Sequence, residues 1–310
     1  MKKNPLGSTG MMVSAIGFGA SSLGGGVFGS VEESDAIAAV HAALASDITL
    51  IDVSPFYGYT RAETVLGKAL KGVSRDRFLL STKVGRYGDD LFDFSPERAR
   101  KSIDESLARL GLDYVDLLHV HDVEYGDLSS IAEQTIPELH RIVSSGKARF
   151  IGVTGYPLAA LRTLTRSSRV DCVLSYTHCA LNDTTLLDQL PEWNRSGIEV
   201  ISAGALSQGL LTETELPSWH PATPAVREVC GRAVHFLRSQ GVDPAAFAIQ
   251  FSASQPGIAS TLIGITNARQ VEAAVRASET PIDAELLRAT LRILDPIHNH
   301  TWDTGRLENS

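Results

Sequence analysis

The sequence predicts a single α/β domain of the TIM-barrel class. It would be a (β/α)8 barrel with an N-terminal β-hairpin and an extra C-terminal helix. Three observations carry this. Eight short apolar runs, at residues 14–19, 48–53, 78–84, 114–121, 148–153, 171–176, 198–202 and 260–265, read as buried parallel strands. Amphipathic stretches of helical length separate them, so strand and helix alternate along the chain. Eight units exceed the six at which an open doubly wound sheet usually stops. The length of 310 residues suits one closed barrel, and no linker divides 1–310.

Taken in order, residues 4–13 contain the turn Gly7-Ser8-Thr9-Gly10 and read as a hairpin over the barrel floor. The segment 95–111 is a well-marked helix. Ser95 is an N-cap, Pro96 suits the first helical position, and Glu97 complements the positive helix start. Ile103, Leu107 and Leu110 form one apolar stripe, and Gly111 comes next as the stop. Residues 206–223, with Gly209, Pro217 and Pro221, are too long for an ordinary connection and read as a functional loop. Helical pattern resumes over 225–239, again after Pro244, and over 283–294. The tail from 295 to 310 shows no periodicity and reads as solvated, including His298-Asn299-His300.

Composition excludes several classes. The formal net charge is -8 with no basic stripe, which argues against a nucleic-acid partner. No apolar run approaches the ~18 residues that cross a membrane. Lys2 and Lys3 resemble the start of a signal peptide, but Asn4, Pro5, Gly7 and Gly10 break up the apolar stretch that such a peptide needs. Cys172, Cys179 and Cys230 are odd in number and lack metal spacing, which fits a reducing cytoplasm. Nothing in the sequence forbids a monomer or a weak homo-oligomer.

Four polar residues fall at or just past the ends of consecutive strands: Asp52, Tyr57, Lys83 and His121. Strand alternation puts Ile48, Leu50 and Asp52 on one face, as it does Leu79, Ser81 and Lys83, and Leu117, His119 and His121. Each candidate thus tops a row that faces the lumen at the C-terminal rim, where barrel active sites lie. A phenol is a poor base near neutrality, and a neighbouring ammonium favours phenolate. Lys83 is that ammonium, Asp52 holds it, His121 orients a substrate oxygen, and Tyr57 exchanges the proton. Singly, Asp52 reads as a turn former, Tyr57 as packing, Lys83 as a solvated charge and His121 as a core histidine. On three consecutive strand ends, coincidence is the weaker explanation. His119 lies one layer deeper and reads as core. His119-Val120-His121 as a metal pair lacks further ligands on later strands, so no metal is expected. The glycine-rich run after the first strand lacks G-x-G-x-x-G spacing and reads as a flexible rim loop.

With Gly17-Phe18-Gly19, residues 146–154 and Leu206-Ser207-Gln208-Gly209-Leu210-Leu211-Thr212, these four residues resemble the aldo-keto reductase superfamily over nearly the whole chain. The resemblance implies that Asp52, Tyr57, Lys83 and His121 form the proton-transfer tetrad. It also implies that Ser21, Thr154, Gly155, Ser175, Ala203, Leu206, Gly264, Thr266, Asn267 and Gln270 bind a nicotinamide dinucleotide. Ser175 stands where many members keep Gln, and Ala203 where an aromatic often stacks on the nicotinamide. Ala273 and Ala274 replace a polar adenine-contacting pair. Members preferring NADP present Lys or Arg to its 2′-phosphate, whereas Gly264-Ile265-Thr266-Asn267 offers no cation before Arg269. NAD is therefore expected over NADP.

Within the superfamily the chain is most similar to the L-galactose dehydrogenase group of aldose 1-dehydrogenases. The similarity rests on residues 118–124, 173–178, Ala180-Leu181-Asn182-Asp183 and the tail Asn299-His300-Thr301-Trp302. The implied reaction is NAD-dependent oxidation of the anomeric carbon of L-galactose, or a related aldose, to a lactone. Ser22, Tyr87, Asp122, His178 and Trp302 are the candidate sugar contacts. Alternatives are dehydrogenation of L-fucose, D-arabinose or pyridoxal, NADPH-dependent reduction of small aldehydes, and a cofactor-loaded redox-sensing subunit without turnover.

Overall fold

A computed structural model describes residues 1–25, 31–217 and 220–310. Lys3–Leu6 (β1) and Met11–Ser14 (β2) pair antiparallel as the expected hairpin, Lys3 opposite Ser14. Eight parallel strands then close a barrel: Ile16–Gly19 (β3), Leu50–Asp52 (β4), Leu79–Val84 (β5), Val115–Val120 (β6), Ala148–Gly155 (β7), Cys172–Tyr176 (β8), Glu199–Ala203 (β9) and Ser260–Gly264 (β10). Each pairs with its sequence neighbours, and β10 closes on β3.

Two strands, β3 and β4, begin two residues later than the sequence pattern. Ser14 belongs to the hairpin, and Ala15 N–H donates to Lys2 O (2.9 Å) before the barrel strand begins. β4 is short because Pro55 has no N–H to continue the ladder past Val53, whose N–H still donates to Ser81 O (2.9 Å).

Helices line the outside: Glu33–Ala45 (α1), Arg61–Leu70 (α2), Pro96–Leu110 (α3), then Leu128–Ser130 (α4) running through a π turn at Ile131–Thr135 into Ile136–Ser144 (α5). Leu158–Ser167 (α6), Leu190–Arg195 (α7), Pro224–Ser239 (α8), Pro244–Ala253 (α9) and Ala268–Glu279 (α10) come next, with Ala284–Leu294 (α11) as the extra C-terminal helix. Ser95 Oγ accepts from Arg98 N–H, as the N-cap pattern of α3 predicts.

Alternation divides the core. Ile51, Leu80, Leu118 and Ile151 face the helices, while Leu50, Leu117, Leu174, Ile201 and Leu262 face the lumen. Leu6, Met11 and Val13 of the hairpin join the lumen set, so the floor is sealed by apolar side chains. The tail departs from its solvated reading. Asn299 N–H donates to Asn182 O (2.9 Å), and Arg306 N–H donates to Glu124 O (3.0 Å). Asn309 Nδ2 donates to the carbonyls of Glu124 and Gly126 (2.9 Å each). Main-chain and amide hydrogen bonds, which have no periodicity, dock this segment on the rim. Among the described residues no helix is long and apolar enough to cross a membrane.

Candidate active site

Register assembles the site before any side chain is considered. Asp52 lies level with Ser81, and Lys83 with His119, so the ends of β4, β5 and β6 step upward toward one mouth. Lys83 Nζ donates to Asp52 Oδ1 (2.6 Å) and to Val53 O (2.9 Å), and both side chains are buried. Ser81 Oγ donates to the other Asp52 oxygen (2.8 Å).

Tyr57 rides the turn after β4, where its N–H donates to Ser54 O (3.1 Å). Lys83 Nζ lies 4.9 Å from its ring centroid. The His121 ring stands edge-on to Tyr57, with centroids 5.8 Å apart at 90°. The adjoining Gly58 has φ +58°, and a Cβ there would come within 2.3 Å of Gly24 O. Only glycine lets the Tyr57 turn press against the loop after β3. That loop, expected to be flexible, is a 3-10 turn over Ala20–Gly24; its Gly26 lies outside the described residues.

The electrostatics are set mainly by burial. Burial works against the Lys83 ammonium, but Asp52 and Tyr57 outweigh it and hold its pKa above the usual lysine value. Burial also dominates at Tyr57. Lys83 pulls the phenol down, Asp52 and Asp122 push it up, and the net result is about 12. Lys83 favours phenolate as expected, but the desolvation of a phenolate exceeds the attraction of one cation already paired to a carboxylate, so the net shift is upward. Burial lowers His121 to about 3, helped by Lys83 and Arg86 and opposed by Asp122, so its imidazole is neutral. His119 also falls to about 3, by burial and then by Lys83 and His121.

Asp122, left-handed at φ +50°, is the sugar candidate nearest the four. Its Oδ1 lies 3.7 Å from His121 Nε2, and its Oδ2 accepts from Arg86 Nη1 (2.6 Å). The other candidates have internal partners. Ser22 Oγ donates to Ile265 O (2.6 Å) and Tyr87 Oη accepts from Gly85 N–H (3.1 Å). His178 uses Nδ1 on Asp183 (2.9 Å) and Nε2 on Tyr156 O (2.8 Å), so both ring nitrogens are occupied. Trp302 stacks on Tyr156 with centroids 5.1 Å apart. Arg86, Tyr176 and Glu124 complete the rim around Asp122; sequence alternation does not reach the loops that carry Arg86 and Glu124, whereas Tyr176 closes β8 on the lumen-facing row of Cys172 and Leu174.

The cofactor candidates occupy the complementary arc of the ring, at the ends of β7, β8, β9, β10 and β3. Thr154 is buried, and a Cβ on Gly155 would lie 2.5 Å from Glu124 Oε2. Ser175 is fully buried and its Oγ has no partner. Ala203 is half-buried beside Leu206, after which Ser207 and Gln208 are both left-handed. Ser21 lies in the turn after β3. Gly264 opens onto free space. Thr266 N–H and Oγ1 both donate to Gln270 Oε1 (2.7 and 2.9 Å), while Asn267 caps α10.

Comparisons with known proteins identify the family. Residues 15–294 match the model of the aldo/keto reductase family. The chain is 48% identical to L-galactose dehydrogenase of Arabidopsis thaliana over 98% of both chains. It is 31% identical to D-arabinose 1-dehydrogenase of Saccharomyces cerevisiae over 75% of this chain and 73% of that one. An aldo-keto reductase of Bacillus halodurans, solved in its holo form, superposes with a TM-score of 0.82 at 25% identity over 99% of both chains. The chain belongs to the aldo/keto reductase family of oxidoreductases.

Proposed function

We propose that this protein is an NAD-dependent aldose 1-dehydrogenase acting on L-galactose or an aldose of similar configuration, and that Asp52, Tyr57, Lys83 and His121 carry the proton transfer. The observation that carries the reading is the buried Asp52–Lys83 pair beneath the Tyr57 ring, with neutral His121 edge-on to it. The names of the relatives supply the substrate class.

The residues fit a nicotinamide dinucleotide. The Thr154 hydroxyl, buried on the lumen-facing row of β7 level with Leu174, suits a carboxamide, whereas Ser175 shares the helix-facing row of Val173. The consecutive left-handed residues Ser207 and Gln208 shape the loop after β9, where the resemblance puts Leu206 along the pyrophosphate. When bound, the oxidised nicotinamide supplies the hydride acceptor. Toward the sugar, His121 hydrogen-bonds the C1 oxygen, Tyr57 takes the C1 hydroxyl proton, and Lys83 stabilises the phenolate form of Tyr57 that does so. Asp52 keeps Lys83 charged and fixed. Asp122, held by Arg86, accepts from sugar hydroxyls.

NAD preference has a second support besides the missing cation before Arg269. Asp35 shares a surface depression of about 440 Å³ with Asn267, Ala268 and Arg269, so its carboxylate offsets the Arg269 cation that a 2′-phosphate could use there. Cytoplasmic residence accords with three buried, unpaired cysteines. One observation favours a second reading. A phenol held protonated serves directly as the acid for carbonyl reduction, so a small-aldehyde reductase is the alternative.

Absorbance at the reduced-nicotinamide band separates the readings. The panel is L- and D-aldoses plus pyridoxal with NAD and NADP, and small aldehydes with both reduced forms. The proposal expects the highest kcat/KM for L-galactose with NAD. Faster aldehyde reduction with NADPH than any aldose oxidation overturns it.

A further inference from the structure

Ser54 lies in the same turn as Tyr57 and is fully buried. Its Oγ accepts from Phe56 N–H (3.1 Å) and lies 3.0 Å from His121 Nδ1. We propose that Ser54 is a positioning residue that fixes His121 in the tautomer protonated at Nε2, so that the neutral imidazole presents a donor to the substrate oxygen. The inference rests on the dehydrogenase reading for its catalytic consequence, and on geometry alone for the tautomer.

A hydroxyl has one proton to give. The lone pair facing Phe56 is occupied by a main-chain N–H, which can only donate. Among the described residues, the acceptor within reach of the Ser54 proton is His121 Nδ1. Were Nδ1 protonated instead, the Ser54 proton would be buried without an acceptor, an arrangement folded proteins rarely tolerate. Nδ1 therefore accepts and Nε2 carries the hydrogen. Nε2 faces the Asp122 carboxylate at 3.7 Å, which favours the same assignment. Lys83 and Arg86 are the cations around this ring and Asp122 the anion. Phe56 and Tyr57 wall it, with ring centroids at 5.9 and 5.8 Å.

One layer down the outcome is the opposite. Ser81 Oγ lies 3.1 Å from His119 Nδ1, but its proton goes to Asp52 Oδ2 at 2.8 Å. His119 Nδ1 must then be the donor. Its Nε2, buried with no partner, is left as a bare acceptor. Two serine–histidine pairs of similar length thus set opposite tautomers, because one serine has a carboxylate beside it and the other does not. Only the upper histidine becomes a donor at Nε2.

Nitrogen-15 NMR of histidine-labelled protein reads both tautomers in one spectrum, with signals assigned through His119→Gln and His121→Gln. The expected result is an Nε2-protonated His121 and an Nδ1-protonated His119. An Nδ1-protonated His121 overturns the proposal. Ser54→Ala should lower kcat/KM about tenfold while leaving NAD affinity unchanged. Ser54→Thr, which keeps the hydroxyl, should restore most of it. Wild-type kcat/KM in Ser54→Ala also overturns the proposal. If Ser54→Ala fails to fold, the wild-type spectrum still decides. If the spectrum is as expected but no aldose is oxidised, the dehydrogenase reading fails and the tautomer assignment stands.

Discussion

At the N-terminal end of the barrel the buried carboxylate of Asp116 accepts from Arg75 (2.5 Å), Arg149 (2.9 Å) and the Leu80 N–H (2.8 Å). At the C-terminal end the equally buried Glu124 keeps one carboxylate oxygen with no partner. Backbone conformation divides the same way. Of the eight left-handed non-glycine residues among those described, Tyr59, Thr60, Asp122, Thr177, Ser207 and Gln208 lie in the loops that follow the C-terminal ends of barrel strands. Such conformations cost about 1–3 kcal/mol each and persist where the surroundings enforce them. At the floor Asp116 ties β5, β6 and β7 together, whereas the rim holds the half-satisfied Glu124 and most of the left-handed turns at some cost to stability. Substitutions at the two ends should therefore separate function from stability.

Tyr57→Phe is the most severe rim test. Removing one hydroxyl should lower turnover by about 10²–10⁴-fold, as loss of a general acid–base group does, with NAD affinity and Tm nearly unchanged. Activity equal to wild type would remove Tyr57 from the chemistry. The pH profile tests the same group without substitution. Because burial holds the phenol near 12, aldose oxidation should accelerate steadily from pH 6 to 10, while carbonyl reduction stays flat around neutrality. Oxidation already level above pH 7 would show that phenolate forms much more readily than burial permits.

Asp116→Ala is the floor counterpart. It removes an acceptor from the buried Leu80 N–H and breaks two ion pairs, at an expected cost of about 3 kcal/mol. Both arginines reach solvent, which limits the loss. Thermal denaturation should show a clear fall in Tm with kcat/KM intact below the transition. Loss of kcat/KM in still-folded protein would mean the two ends are coupled.

Legibility in the sequence divides along the same line. Strand alternation is a local period-two signal, so it placed Asp52, Lys83 and His121 on lumen-facing rows, and the Asp52–Lys83 contact results from that. The hairpin and the cap of α3 were legible because Gly7-Ser8-Thr9-Gly10 and Ser95-Pro96 act through their own backbone. Arg86 was not legible. It lies in the loop after β5, and its partner Asp122 is 36 residues away. The docking of the tail is not legible either, because Asn299 and Asn309 bind by amide and main-chain hydrogen bonds that carry no periodicity. The pull of Lys83 on the Tyr57 phenol is legible, but the larger opposing effect of burial is not, because desolvation depends on the whole surroundings.

The smallest expected effect isolates the half-satisfied rim carboxyl of Glu124. Glu124 Oε1 accepts from Tyr156 N–H (3.1 Å) and lies 3.4 Å from Tyr176 Oη, while Oε2 is wedged beside Gly155. Burial, and then the neighbouring Asp122, push its carboxyl from 4.5 up to about 8. A group with a raised folded-state pKa keeps a proton that the unfolded chain releases above about pH 4.5. Its contribution is full below that pH and is lost as pH rises toward 8. Glu124→Gln is neutral at every pH and keeps an acceptor for the Tyr156 N–H. Its Tm relative to wild type should therefore change little between pH 3 and 4 and climb from pH 5 to 8. A Tm difference constant over that range would mean that Glu124 is ionised in the folded protein, with its charge met by solvent or by Arg86. The rim would then match the floor in satisfying its buried carboxylates.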